Sequence, residues 1–134
     1  MELTRIRFAW LLLTTLAGAG CKPKTAAKTP VVGWRAIGSW SGHGDTQTDS
    51  FNIEAGQWRI RWQAANEDEA GAGRLRVTVH SAVSGRPLIV AVEHRGVGHD
   101  VAYVNDDPRL YHLVIESRHI DWSLKVEEAV VAYQ

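Results

Sequence analysis

From Gln57 to Ala64 apolar and polar residues alternate without a slip, the period-2 signature of a half-buried strand. Trp58, Ile60, Trp62 and Ala64 fall on one face, and Arg59, Arg61 and Gln63 on the other. Each buried aromatic ring removes roughly 150–250 Å² from water, so this face requires other strands to cover it. The chain supplies them. Trp34–Trp40 reads as a first strand, followed by a Gly-rich turn at Ser41–Asp45. Asp49–Glu54 alternates with Phe51 and Ile53 inward, and Ala55-Gly56 turns it into the central strand. After an acidic, glycine-containing loop over Asn66–Gly73, Arg74–Ala82 sets Leu75, Val77 and Val79 against Arg74, Arg76, Thr78 and His80. Ser84-Gly85-Arg86-Pro87 has the residue types of a hairpin turn.

Leu88–His94 is apolar on both faces at its start, which predicts a strand in the middle of a sheet. Arg95–Gly98 breaks it, and His99–Val104 is a short strand ending at Asn105–Pro108. Arg109–Glu116 places Tyr111, Leu113 and Ile115 together, and Asp121–Glu127 does the same for Trp122, Leu124 and Val126. About eight short strands at near-regular spacing, with no helical periodicity, predict an all-β domain: a single antiparallel β-sandwich, jelly-roll-like. Trp58, Trp62, Trp122, Phe51 and Tyr111 are its expected aromatic centre.

The first residues follow a different pattern. Arg5 and Arg7 precede Phe8–Gly20, a charge-free stretch too short for a membrane-spanning helix of about 20 residues. A basic start, an apolar run and the small residues Ala17–Gly20 fit a secretory signal over residues 1–20. Leu16-Ala17-Gly18-Ala19-Gly20-Cys21 resembles the lipobox of bacterial lipoproteins, with Gly18 where that family usually carries an aliphatic residue. The resemblance implies cleavage before Cys21, diacylation of its thiol with palmitate-type chains, and a membrane partner reached through that anchor. Lys22 follows the cysteine instead of the Asp that marks inner-membrane retention in enteric lipoproteins, which favours the outer membrane. The alternative is an ordinary signal cleaved near Ala19, leaving Cys21 a free thiol. Residues 21–32, with Pro23, Pro30 and three lysines, read as a tether, and residues 33–134 as the folded domain.

Composition narrows the function. Fifteen basic and fifteen acidic residues provide no general nucleic-acid-binding balance, so no nucleic-acid partner is expected. One cysteine excludes an intrachain disulfide and a multi-cysteine zinc site. The domain must hold together by packing.

A second resemblance rests on the folded part. Trp40-x-Gly42-x-Gly44 to Phe51, Trp58-x-Ile60-x-Trp62, and Tyr111-x-Leu113-x-Ile115 to Trp122-x-Leu124-x-Val126 resemble small secreted jelly-roll domains of bacteria. The closing segment is also similar to pre-peptidase C-terminal and carbohydrate-binding-like sandwiches. These motifs are structural and carry no catalytic residue across.

Three sets of residues are candidates for chemistry. His43 and Asp45 share a Gly-rich turn and are adequate metal ligands, although no His-Glu-x-x-His or alternating-acid spacing supports them, and no cofactor is expected. Arg59, Arg61, Arg74 and Arg76 project from successive strands; if those strands pair, four guanidiniums share one surface suited to phosphate, sulfate or carboxylate. The competing reading is a solvated face balanced by Glu54, Glu93, Glu116 and Glu127. Trp34 and Trp40 are the tryptophans least bound to the core and could stack on a sugar. Gly38-Ser39-Trp40-Ser41-Gly42 has Trp where a nucleophile elbow needs Ser, and no phosphate loop or dinucleotide fingerprint occurs. The expectation is a non-enzymatic envelope lipoprotein binding a ligand, such as a glycan, or an envelope protein. The alternatives are an accessory subunit docking through a sheet edge and a small hydrolase. Mass spectrometry of the mature protein should find Cys21 as its first residue, bearing diacylglycerol; a bare peptide beginning after Ala19 would remove the anchor.

Overall fold

The computed structural model describes residues 29–133. The signal peptide, the lipidated Cys21 and the tether up to residue 28 lie outside the described residues. Nine strands follow one another: β1 (Pro30–His43), β2 (Thr46–Gln47), β3 (Phe51–Ile53), β4 (Gln57–Ala65) and β5 (Arg74–Ser81). They continue with β6 (Pro87–Arg95), β7 (Gly98–Asn105), β8 (Arg109–Arg118) and β9 (Asp121–Tyr133). β1 starts at Pro30, so residues 30–32, read as the end of the tether, pair with β9 instead.

All pairings are antiparallel and form two sheets: a front sheet in the order β1-β9-β4-β7 and a back sheet in the order β2-β8-β5-β6, with β3 also on β8. β2 and β3 are one broken strand. Thr48, between them, exchanges hydrogen bonds with Leu113, its amide donating to the carbonyl and its hydroxyl accepting from the amide, both at 2.9 Å. Counted so, eight strands cross from sheet to sheet at every connection except the β5–β6 hairpin, which is a jelly roll.

The core lies where alternation places it. Trp58, Ile60, Trp62 and Ala64 of β4 face Leu75, Val77 and Val79 of β5 and Tyr111, Leu113 and Ile115 of β8, all buried. Trp58 and Tyr111 pack with ring centroids 5.0 Å apart, and Phe51 stands edge-on to Trp58 at 5.5 Å. Such pairs add about 0.5–1.5 kcal/mol each beyond their burial. The Trp122 ring lies over Gly42, where an added Cβ would stand 2.8 Å from it, and its indole N–H donates to the Gly44 carbonyl at 2.9 Å.

Two expectations are corrected. β6 is an edge strand, not a central one. Its apolar run is exposed, with Leu88, Ile89 and Val90 at 39%, 47% and 40%, and two register shifts against β5 break its alternation, as bulges commonly do at sheet edges. β4 and β5 do not pair; they lie in different sheets, so Arg59 and Arg61 project from the front of the sandwich and Arg74 and Arg76 from the back.

A buried carboxylate closes one end of the front sheet. Glu128 is 1% exposed, accepts the amides of Glu54 at 2.9 Å and Ala55 at 3.0 Å, and pairs with Arg35, its cross-strand neighbour. Burial pushes this carboxyl up, but the hydrogen bonds from Arg35 and the two amides outweigh it, and its pKa lies below the ordinary value. The resulting stability is complete above the ordinary carboxylate pKa and is lost as pH falls through the lowered folded value. Glu128→Gln should cost roughly 2–3 kcal/mol at pH 7 and flatten the acid limb of a stability–pH curve, read by urea denaturation.

Candidate binding face

The outer face of the front sheet carries Trp34, Arg59 and Arg61. Its rungs follow from the register. Glu127, Arg59 and Tyr103 lie across β9, β4 and β7; Ser39, Lys125, Arg61 and Val101 form the next rung; Ser41, Ser123, Gln63 and His99 the one after. Arg59 Nε donates to Glu127 Oε1 at 2.8 Å, and its guanidinium lies 4.1 Å from the centroid of the Trp34 ring, a cation–π geometry. Tyr103 packs obliquely on the same tryptophan at 5.9 Å and remains 53% exposed. Arg61 Nη1 lies 4.0 Å from the same Glu127 oxygen that Arg59 holds, and Arg61 stands directly opposite Lys125. The two cations share a rung without a carboxylate between them. An open trough of about 890 Å³ runs beside them, lined among others by Ser39, Gln63, His99 and Ser123.

Trp40 does not join Trp34. The two have the same parity, and an unbroken strand would place them on one face. β1 gains a residue between Ala36 and Gly38, so the phase reverses. Trp34 lies opposite Ala129 on the outer face, while Trp40 lies opposite Leu124, turned inward, its ring 5.6 Å from Phe51. Tyr103, on β7, is the aromatic that sequence reasoning missed. An exposed Tyr in a short strand carries no local signal; only the β4–β7 register brings it beside Arg59.

His43 and Asp45 engage different partners. His43 Nδ1 bonds Asp121 Oδ1 at 2.8 Å, while Asp45 Oδ1 accepts the Ser117 amide at 2.9 Å. Hydrogen bonds from Asn66 and then His43 hold the Asp121 carboxyl below its ordinary value. Beside them His119 Nδ1 bonds Asp68 at 2.8 Å and its Nε2 lies 3.6 Å from Glu69. Asn66 and His119 both have left-handed backbones, φ 55° and 57°, which Asn and His adopt more readily than most residues. Both imidazoles thus face carboxylates, and none of their ring nitrogens bonds a hydroxyl among the described residues. No group of three or more His, Cys, Asp or Glu among them is arranged to hold a metal ion.

No protein-family model matches the chain, and no curated protein matches it. The reading of this face rests on its geometry.

On the back sheet His112 stacks against His80, ring centroids 5.1 Å apart. Burial, then the neighbouring His80, lower the His112 pKa. In an NMR titration the His112 imidazole should accept its proton below the ordinary histidine value of about 6.5. The sign of the linkage follows: the unfolded chain binds this proton first, so stability falls as pH drops through about 6.5 toward the lower folded value.

Proposed function

We propose that the protein is a lipid-anchored, non-catalytic module of a bacterial envelope, held through Cys21 and most simply in the outer membrane, whose front sheet receives an acidic glycan chain. The observation that carries this reading is the Arg61–Lys125 rung beside the exposed ring of Tyr103. Lys125 and Arg61, the latter 4.0 Å from its nearest ion-pair oxygen, suit a carboxylate or sulfate, the tyrosine ring suits a sugar face, and the side chains of Ser39, Gln63 and Ser123 supply hydrogen bonds along the trough. Arg59 belongs to the site as a support: paired with Glu127, it props the Trp34–Tyr103 pair.

One observation favours a second reading. The β6 edge presents Leu88, Ile89 and Val90, and an open strand edge can accept a strand from an envelope partner. In that reading the protein is an accessory subunit.

Binding of polygalacturonate, compared with uncharged dextran, by the full-length protein in detergent separates the two. Arg61→Ser and Lys125→Ser should each weaken polygalacturonate binding roughly tenfold, and Tyr103→Ala by about five- to tenfold, with dextran left weak throughout. Binding that is absent, or equal in the variants, would sink the front-sheet reading and turn attention to the β6 edge.

A further inference from the structure

The back sheet holds a second, independent concentration of charge. Arg74 on β5 lies directly opposite Arg95 on β6 and directly opposite Arg118 on β8. Residues opposite each other across a sheet share a face, and all three side chains are on the exposed one. Neighbouring Cβ atoms on such a rung are about 4.5–5.5 Å apart. Three guanidiniums therefore rise from a strip two strand spacings wide. Like charges placed directly opposite are unfavourable, so this rung needs a counter-charge.

The surrounding acids do not supply it. The next rung is Glu93, Arg76 and Glu116, in which two carboxylates flank one arginine. Asp45 gives an oxygen to the Ser117 amide, and Glu67 accepts the amides of Gly71 and Gly73. Among the described residues, the ion pairs involve Arg35, Arg59, Arg61 and Arg109, and none involves Arg74, Arg95 or Arg118. The three line an open cleft of about 690 Å³ together with Asp45, Glu93 and Glu116. Glu93 and Glu116 stand one rung from the arginines, so an anion is attracted to the arginine rung and repelled from theirs.

We propose that the Arg74–Arg95–Arg118 rung binds a tetrahedral, doubly charged oxyanion of the phosphate type, free or as a phosphomonoester. Each guanidinium offers a planar fork that matches two oxygens of such a group. One carboxylate saturates a single fork, whereas a phosphate has enough oxygens and charge to serve three. The site is separate from the front sheet, on the opposite face of the sandwich, and does not depend on a glycan binding there.

The test is a set of thermal melts of the full-length protein in detergent at constant ionic strength. The added anions are millimolar inorganic phosphate, sulfate, acetate, and dihexanoyl phosphatidic acid below its micelle concentration. A ligand that binds only the folded chain raises the midpoint, so phosphate should raise it by several degrees and acetate should not. The phosphatidic acid separates sources: a larger rise than with phosphate marks a lipid headgroup, an equal or smaller one a soluble phosphate, and either supports the site. Arg74→Gln should lose the phosphate response while melting at or above the parent midpoint without phosphate, because it relieves the repulsion. Arg118→Lys keeps the charge, removes a fork, and should weaken the response without unfolding the chain. Arg86→Gln, on the β5–β6 turn at the far end of the sheet, should respond like the parent. An equal phosphate response in all variants reports general salt exclusion from the protein surface and overturns the proposal. So does an Arg74→Gln chain that is less stable without phosphate yet still responds.

Discussion

The last strand of the chain lies in the interior of a sheet. β9 pairs with β1 on one side and β4 on the other, so the front sheet is complete only when the two ends of the domain have met. β1 joins that sheet only through this insertion. The inner residues Trp122, Leu124 and Val126 fill the core; the outer residues Ser123, Lys125 and Glu127 furnish the candidate face. Contacts between the two ends of a domain carry the highest loop-closure cost, and a topology built on them folds slowly relative to local hairpins. The gain from burying aromatic surface on β4, β8 and β9 must outweigh that cost.

Two departures from strict alternation give the front sheet its functional character. The extra residue in β1 separates Trp34 from Trp40, sending one outward to Arg59 and the other inward to Phe51. At the end of the sheet Arg35 and Glu128 continue the inward phase where apolar residues would be expected. A charge there survives because Arg35 and two amides satisfy the carboxylate. The same carboxylate fixes the turn between β3 and β4, and so the start of the strand that carries Arg59 and Arg61.

The chain is neutral in total, yet cations are concentrated in rungs on both outer faces. Charges farther apart than about 8 Å are largely screened at physiological salt, so overall balance says little about a local rung. Glu127 pairs closely with Arg59, at 2.8 Å, and only distantly, at 4.0 Å, with Arg61, which stands beside Lys125. Glu93 and Glu116 stand opposite Arg76, while Arg74 stands between two arginines. On each face a rung of opposite charges stands next to a rung of like charges.

Much of the fold was legible in the residues alone. β4, β5, β8 and the first half of β9 alternate because one face of each is dry and the other wet, and a period of two records that directly. From those strands the aromatic core and the sandwich followed. β6 was misread because its continuous apolar run has the composition of a strand buried on both faces, while its edge position depends on which strands pair. The pairing of Trp34 with Trp40 failed because β1 holds one extra residue, which leaves no clear mark in composition. The four-arginine surface failed because successive strands of a jelly roll cross between sheets. Arg95, Arg118, Lys125 and Tyr103 entered the candidate sites only through register. Alternation is set by the immediate neighbours of each residue, so the sequence by itself determined which side chains face inward along each regular strand. Which outward side chains meet across strands depends on hydrogen-bonded partners up to dozens of residues away, and only the tertiary structure decided that.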